Sequence, residues 1–275
     1  MKKIILSLMA LALLASCSQD SEGTNESQEQ EVTLTFSPYE VSEMTRATTS
    51  IATIATHLDV WIVEGSNTTE VHQSSTDDKF GYITVTLDKT KTYTLYAVAH
   101  KADGATLEDG IISFTNDKVT HAMYYSTSFS PGTTTNLSCE MQRIVAHFRF
   151  ESTDVKPDDV SRITFTIGSV YDRWSVTTGA THGLDRESNF ANVSTNNDGT
   201  VTFNLYAIMT DTQTLHTVTV EAFDANDQLK QSRTFSNVPL RNGYKTTYRG
   251  VYFTNTATAA AFSVGDWNLY DTVNF

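Results

Sequence analysis

The residues with the clearest chemical potential in this sequence are a cysteine and a histidine that lie near each other. Cys139 precedes His147 on one segment, so an imidazole could activate the thiol as a nucleophile. A third residue that would orient the histidine is not evident in the sequence, so a packed structural cysteine is the favoured interpretation. The seven histidines are scattered singly, without the His-x-x-x-His or Cys-x-x-Cys spacing of metal sites.

Two other segments offer binding chemistry. Residues 224–227, Asp-Ala-Asn-Asp, begin like a calcium loop, but the later glycine and glutamate ligands are missing, so a hairpin turn is favoured. Trp174, within VYDRWSVTTGATHG, could form an aromatic platform for a sugar, although core packing is favoured because tryptophan buries a large area. The chain has neither a Gly-x-Ser-x-Gly motif nor a P-loop. We therefore predict a protein that is not an enzyme and uses no metal or cofactor.

The amino-terminal residues predict export. MKKIILSLMALALLASC has two lysines, an apolar run, and then Ser16 and Cys17. This order is typical of a secretory signal, and the run is shorter than the roughly 20 apolar residues that span a bilayer. The ending LASC resembles the lipobox of bacterial lipoproteins, whose cysteine is acylated, with palmitate among the fatty acids; an ordinary signal peptide cut nearby is the alternative. We predict a signal peptide at 1–16 and a lipidated acidic tether at 17–31, and Ser18 favours the outer membrane.

The charge of the exported chain excludes several partners. Removing residues 1–16 from the 275 residues leaves 259, and the loss of two lysines changes the formal net charge from −13 to −15. Such acidity argues against nucleic acid and anionic membrane surfaces as partners, because both reward clustered lysine and arginine. With Cys17 lipidated, Cys139 has no intramolecular partner, so a folded core rather than a disulfide framework must hold the chain together.

The elements that would position these residues are predicted to be strands. Val32, Leu34 and Phe36 alternate with polar residues, which indicates a half-buried strand, and the same period of two recurs as far as LKQSRTFSNV at 229–238. The segment HLDVWIVE at 57–64 carries apolar residues on both faces, which predicts a central strand.

The turns between these strands predict the fold class. Short strands at regular spacing, separated by turns such as Asn-Asp-Gly at 197–199, favour sandwiches over alternating strand–helix units. Only residues 46–58, with two isoleucines at helical spacing, could form a short helix. We predict an all-β chain of two sandwich domains, at 32–138 and 139–275, that meet near residue 138.

Three segments together point to a known family. The first is the lipobox followed by a strand and MTRATT at 44–49, and the second is MQRIVAHFRF at 141–150. The third joins NVPLRNGYKTTYRGVYFTNT at 237–256 to FSVGDWNLY at 262–270, where the family's typical residues correspond to Pro239, Arg241, Asn242, Thr246, Thr247, Gly250 and Trp267. This set resembles the fimbrillin (FimA-like) lipoproteins of the type V pilus in anaerobic Gram-negative bacteria. The resemblance implies two tandem transthyretin-like β-sandwich domains, a removable amino-terminal strand and a carboxyl-terminal donor segment.

The resemblance gives the first strand a role. Val32, Leu34 and Phe36 would belong to a plug strand, within residues 32–46, that fills a groove of the first domain during transport. An Arg-specific, trypsin-like protease would then cut between Arg46 and Ala47, and a strand from a neighbouring subunit would replace the plug. Full burial of the three plug side chains corresponds to about 5–9 kcal/mol. While the plug is covalently attached, its high effective concentration prevents displacement, and after the cut it competes by affinity alone.

The resemblance also implies a donor segment at the carboxyl terminus. That segment offers a series of apolar side chains: Phe262, Val264, Trp267, Leu269, Tyr270, Val273 and Phe275. The alternative is that residues 262–270 form the last core strand of the second domain, and both roles are expected in part. The implied protein is a pilus subunit, first lipid-anchored in the outer membrane and then part of a surface fimbrium with other copies and accessory subunits, where it supports adhesion.

Two further functions fit the same sequence. An uncut anchor or a tip adhesin of the family would share the export signal, but Arg46 and the long terminal segment favour a shaft subunit. A surface glycan-binding lipoprotein would share the signal and the sandwich domains, and it would need exposed aromatic side chains.

Overall fold

The computed structural model describes residues 28–39, 50–115, 119–182, 186–190, 194–254 and 261–266. Within these ranges the chain forms strands and one 3₁₀ turn, without an α-helix, so the predicted all-β sandwich fold is confirmed. The same ranges contain no helix with the length and apolarity needed to cross a membrane.

The strands fall into two consecutive groups along the chain. The first group is β1 (Glu29–Pro38), β2 (His57–Glu64), β3 (Asn67–Ser74), β4 (Tyr82–Asp88), β5 (Tyr93–His100), β6 (Ala105–Glu108), β7 (Ile111–Phe114), β8 (Ala122–Phe129) and β9 (Asn136–Arg143). The second group is β10 (Val145–Ser152), β11 (Arg162–Val170), β12 (Arg173–Ser175), β13 (Thr181–His182), β14 (Arg186–Phe190), β15 (Ser194–Thr195), β16 (Val201–Ile208), β17 (Thr214–Phe223), β18 (Leu229–Leu240), β19 (Tyr244–Gly250) and β20 (Ala261–Asp266).

The first sandwich is built from one seven-stranded sheet in the order β3-β2-β5-β8-β9-β1-β4. β8 and β9 pair only at Met123–Arg143 and Tyr124–Gln142, and this short junction divides the sheet into two halves. Side chains of both halves pack into one core, which includes Val32, Leu34, Phe36, Leu58, Val60, Ile62, Ile83, Leu95, Cys139 and Met141. As predicted, β2 is central, with β3 on one side and β5 on the other.

The second sandwich consists of two sheets that enclose a separate core. Their strand orders are β15-β16-β10-β19-β20 and β14-β11-β17-β18. Phe150 of β10 lies edge-on to Phe165 of β11 and to Tyr252, with ring centroids 5.3 and 5.5 Å apart. The alternating apolar residues of β10 therefore face inward, as their period of two predicts.

A third sheet and a third apolar cluster join the two sandwiches. The β6–β7 hairpin of the first group pairs with β12 of the second, in the order β13-β12-β7-β6, and places Ile112 opposite Trp174. The cluster around them also contains Trp61 of β2 and Ile208 of β16. Because a sheet and a core cross the junction, the two halves are held together by packing rather than by a bare linker.

The change from the first group of strands to the second occurs at Ile144. β9 runs across the predicted boundary at residue 138, and the segment 141–150 contains the end of β9 and most of β10. Ile144, between them, is buried in the cluster that joins the sandwiches, and its backbone N–H donates to the Ala122 carbonyl at 3.2 Å. Segment 141–150 is therefore divided between two sheets.

The turns follow the local sequence chemistry. The predicted short helix is a single 3₁₀ turn at Ile51–Thr53, where the Ser50 hydroxyl accepts a hydrogen bond from the Ala52 N–H. Gly199 has a φ of +81° in the turn between β15 and β16, a conformation that glycine adopts at little cost.

The segment at residues 224–227 forms the connection between β17 and β18. The Asp224 carboxylate accepts hydrogen bonds from the N–H groups of Asn226 and Gln228 at 2.8 and 2.9 Å, and Asp227 adopts a φ of +58°. These carboxylate contacts are those of an Asx-type turn rather than a calcium loop.

Candidate functional site

The first strand lies inside the first sandwich rather than at its edge. β1 pairs with β4 in antiparallel orientation and with β9 in parallel orientation, so both of its backbone edges are occupied. Val32 and Leu34 are fully buried and Phe36 is 4% exposed. The side chains that the sequence assigned to a plug therefore form the centre of the first core.

Hydrogen bonds fix β1 at both ends. The Lys89 N–H donates to the Gln28 carbonyl at 2.7 Å, and the Tyr39 N–H donates to the Met141 carbonyl at 2.8 Å. In the middle, the Phe36 N–H donates to the Gly81 carbonyl at 2.9 Å. A strand bonded on both edges and buried on one face would leave a hydrophobic groove with unpaired backbone groups if it were withdrawn.

Gly81 shows how closely the chain packs against β1. It has a φ of +90°, and a Cβ atom there would lie 2.8 Å from a methyl group of Ile51. Glycine therefore permits the close approach of the β4 end to β1 and to the 3₁₀ turn at Ile51–Thr53.

Cys139 lies on β9 beside β1 and is the register partner of Phe36. It is fully buried in the first core, and burial raises the pKa of its thiol to about 12. A thiol nucleophile needs a lowered pKa, so this environment makes Cys139 unreactive while β1 is in place. His147, its proposed activator, instead donates a hydrogen bond to Asn204 of the five-stranded sheet at 2.8 Å.

Several predicted residues fall outside the described ranges. These are the lipidation residue Cys17, the cleavage residues Arg46 and Ala47, and the distal part of the donor segment, Trp267, Leu269, Tyr270, Val273 and Phe275. Along the sequence, the predicted cleavage site falls between β1, which ends at Pro38, and the 3₁₀ turn at Ile51–Thr53.

The proximal part of the donor segment forms β20 of the same chain. β20 pairs with β19 in antiparallel register, with Phe262 opposite Tyr248 and Val264 opposite Thr246. It is the outermost strand of the five-stranded sheet, so β19 is the strand that holds it. This placement corresponds to the alternative in which the segment is the last strand of the second domain.

Trp174 is part of the cluster that joins the sandwiches. It is 8% exposed, its ring centroid lies 6.3 Å from that of Tyr124, and the Tyr124 hydroxyl donates to the Val176 carbonyl at 3.0 Å. The side chain therefore packs in a core, which is the favoured interpretation of the sequence analysis.

Two clusters of titratable residues were not anticipated from the sequence. In the first, the Asp59 carboxylate accepts hydrogen bonds from His72 Nδ1 and His100 Nε2, both at 2.5 Å, and the His57 ring stacks on His100. Burial alone would raise the pKa of Asp59, but the hydrogen bonds from His100 and His72 outweigh it and hold the pKa below its ordinary value. The two histidines thus supply the partners that a buried carboxylate requires.

The second cluster lies where the two sandwiches meet. Arg143 Nη1 donates to His121 Nδ1 at 3.5 Å, so Nε2 of the neutral ring carries the proton and donates to the Tyr206 hydroxyl at 2.9 Å. The His147 ring stacks on Tyr206 with centroids 4.7 Å apart.

Both histidines of this junction are held neutral. Burial, reinforced by the charges of Arg143 and Lys101, lowers the pKa of His121 to about 3. Burial lowers the pKa of His147 to about 4 against the opposing effect of the hydrogen bond to Asn204, and the charges of Lys245, Arg149 and Arg143 lower it further. The junction therefore favours neutral imidazoles, and their protonation at low pH opposes folding.

No group of three or more His, Cys, Asp or Glu side chains in the described part of the chain is arranged to hold a metal ion.

The geometry of β1 thus leaves a strand-binding groove as the principal candidate site. A comparison with protein-family models found no match, and a comparison with curated proteins found none either.

Solved structures share the fold. A candidate cell adhesion protein from Bacteroides ovatus is 14% identical, with a TM-score of 0.53, and the match covers 88% of this chain and 99% of that one. The fimbrial anchor protein Mfa2 from Porphyromonas gingivalis is 10% identical, with a TM-score of 0.50 over 87% of this chain and 98% of that one. A candidate polysaccharide-binding protein from Bacteroides thetaiotaomicron is 12% identical, with a TM-score of 0.53 over 86% and 96%. At these identities the likeness establishes the fold.

Proposed function

We propose that this protein is a structural subunit of a cell-surface fimbria that assembles by exchange of its first strand. The observation that carries the proposal is the position of β1. This strand directly follows the amino-terminal tether, yet its apolar face fills the centre of the first core and both its edges are paired.

Processing is the first step of the proposed assembly. The precursor is acylated at Cys17 and held at the outer membrane, with β1 in its groove. An Arg-specific, trypsin-like protease then cuts between Arg46 and Ala47, in the loop that follows β1. After the cut, β1 is held by affinity alone, because the covalent link that gave it a high effective concentration is gone.

Replacement of β1 is the second step. The groove would accept another strand with apolar residues at alternate positions, in place of Val32, Leu34 and Phe36. The carboxyl-terminal segment of a neighbouring copy offers such residues, beginning with Phe262 and Val264 in β20. An outermost strand is released more readily than an inner one, because only one of its edges is paired.

The fold supports this proposal. Among the solved structures with the same fold are a fimbrial anchor protein and a candidate cell adhesion protein. The anchor suggests the alternative function, in which this chain stays uncut and attaches a fimbria to the membrane. The fate of the Arg46–Ala47 bond in surface filaments distinguishes the two, because a shaft subunit begins at Ala47 and an anchor keeps its lipid.

The variant Arg46→Ala is expected to remain a stable lipidated monomer that does not enter filaments, because β1 stays covalently attached to its groove. The measurement is the formation of heat-resistant ladders on a gel after protease treatment. Arg46→Lys is the matched control. Trypsin cuts after lysine whereas an Arg-specific protease does not, so this variant is expected to form ladders only after treatment with trypsin. Ladders of wild-type intensity from Arg46→Ala would show that strand removal is not required.

Deleting residues 271–275 tests the donor. The truncated subunit is expected to fold and to be cut, but to form few ladders, because Val273 and Phe275 are lost. Full burial of two such side chains corresponds to roughly 3–6 kcal/mol, and about 1.4 kcal/mol changes an equilibrium tenfold. Normal ladders from this chain would place the donor strand elsewhere in the sequence.

A further inference from the structure

Residues 251–254, which follow β19, are held by side chains rather than by a strand ladder. The Asp154 carboxylate accepts hydrogen bonds from the backbone N–H groups of Tyr252, Phe253 and Thr254 at 2.8, 2.7 and 2.8 Å. The Thr254 hydroxyl donates to the same carboxylate at 3.3 Å. Hydrogen bonds to an ionised acceptor are among the strongest in proteins, so one side chain fixes three consecutive residues.

The carbonyl groups of this segment are held from the opposite sheet. Arg233 of β18 donates to the Val251 carbonyl at 2.6 Å, and the Gln231 side chain donates to the Tyr252 carbonyl at 3.0 Å. The Tyr252 ring is 1% exposed, and its hydroxyl donates to the Val220 carbonyl of β17 at 2.9 Å. The segment therefore crosses from the five-stranded sheet to the four-stranded sheet and closes one end of the second sandwich.

Asp154 is itself fixed in place by its neighbours. The Ser152 hydroxyl donates to the Asp154 carbonyl at 2.9 Å and accepts a hydrogen bond from the Val201 N–H at 2.8 Å. The Thr153 N–H donates to the Gly250 carbonyl at 2.9 Å. The carboxylate is thus preorganised by β10, β16 and β19 to receive the segment.

The strand beyond this segment is held differently. Among the described residues, β20 lies at the edge of the five-stranded sheet and pairs with β19 alone. Local opening follows the number of buried contacts and paired edges, so β20 opens before the segment 251–254.

We propose that Asp154, Gln231 and Arg233 form a clasp that makes Thr254 the fixed end of the second domain. The 21 residues from 255 to 275 then leave the domain together without opening its core. A segment of that length spans about 70 Å when extended. This inference rests on the proposed strand exchange, and it identifies the clasp residues as the positioning residues that set where the donated segment begins.

Hydrogen exchange of the full exported chain tests the clasp without requiring assembly. In the wild type, the amides of residues 252–254 are expected to exchange as slowly as those of β10, and the amides of β20 at least about tenfold faster, since an edge strand opens locally. The variant Asp154→Asn is expected to accelerate exchange at 252–254 by about tenfold or more, because a charged acceptor of three donors is lost. Exchange in β10 and β16 is expected to stay unchanged, which a general loss of stability would not allow.

Asp158→Asn is the matched control, because Asp158 is an exposed carboxylate on the same loop. It is expected to exchange like the wild type throughout. Unchanged exchange at 252–254 in Asp154→Asn would overturn the clasp, and slow exchange of β20 in the wild type would overturn the assignment of the hinge after Thr254. If the clasp behaves as expected but cut wild-type protein forms no ladders, the proposed fimbrial function fails while the clasp stands.

Discussion

Release of β1 from the first domain is expected to make Cys139 react with a maleimide about a thousandfold faster at neutral pH. Burial raises the pKa of this thiol to about 12, whereas a free cysteine has a pKa of about 8.5, so the thiolate fraction rises by more than three powers of ten on exposure. Cys139 is fully buried and is the register partner of Phe36, so withdrawal of β1 uncovers it directly. The labelling rate of the Cys139 thiol therefore indicates whether β1 occupies the groove.

The measurement uses a chain that begins at Ser18, in which Cys139 is the single cysteine. Before cleavage, labelling is expected only through unfolding of the first domain. After cleavage at Arg46, labelling is expected to proceed through dissociation of β1, at a rate that no longer follows global unfolding in denaturant. An excess of a peptide with the sequence of residues 255–275 is expected to suppress labelling again by filling the groove.

Two substitutions in β1 calibrate the experiment. Leu34→Ala removes a fully buried side chain, which costs about 2–5 kcal/mol, and it is expected to accelerate labelling of the cut chain by at least about thirtyfold. Thr33→Ala, one residue earlier on the opposite face, is the matched control and is expected to change labelling little. Equal labelling of cut and uncut Leu34→Ala chains would mean that β1 does not leave the groove, and the plug function would be rejected.

The strands themselves could be predicted because apolar and polar residues alternate along them, and the apolar positions indicate the buried face. Val32, Leu34 and Phe36 alternate with polar residues, and this period of two is local information. The doubly apolar segment at residues 57–64 likewise predicted a central strand, since both of its faces contact a core. The alternating pattern does not indicate which strands pair. The parallel partner of β1 is the segment 136–143, which lies about a hundred residues away in the sequence.

The sites missed by the sequence are those assembled from distant residues. Asp59, His72 and His100 lie on three neighbouring strands of one sheet, so their contact depends on register rather than on spacing along the chain. The same holds for His121 and Tyr206, which come from different sandwiches. The division of segment 141–150 into two strands was also hidden, because Ile144 continues the apolar pattern while the chain passes from one sheet to the other.

Acidification from pH 7 to pH 5 is expected to lower the free energy of unfolding by about 2 kcal/mol through His147 alone. Its pKa is lowered from 6.5 to about 4 in the folded protein. Between these pH values the unfolded chain therefore binds a proton that the folded chain does not bind. Stability from this histidine is fully present above pH 6.5 and is lost as the pH falls towards 4, at about 1.4 kcal/mol per pH unit.

His121 adds to this loss, since its pKa is lowered to about 3. The two rings interact, with centroids 6.4 Å apart, so protonating one makes protonation of the other harder and their combined effect is smaller than the sum. The cations Arg143 and Lys101 face His121, and Arg149 and Lys245 face His147, so each added proton enters a positively charged neighbourhood. Protonation at low pH is therefore expected to destabilise the junction between the sandwiches, where the His121–Tyr206 hydrogen bond joins them.

The measurement is the difference between the free energies of unfolding at pH 7 and pH 5, obtained from denaturant titrations. His147→Asn is expected to reduce this difference by about 2 kcal/mol, whatever its effect on stability at pH 7, because the titrating group is removed. His182→Asn, at an exposed histidine of β13, is the matched control and is expected to leave the difference unchanged. Aspartates and glutamates with ordinary pKa values titrate mainly below this window, so their contribution is common to all three chains. A pH difference in His147→Asn equal to that of the wild type would show that the imidazole at the junction is not held neutral, and the acid-sensitive step would then lie in another part of the molecule.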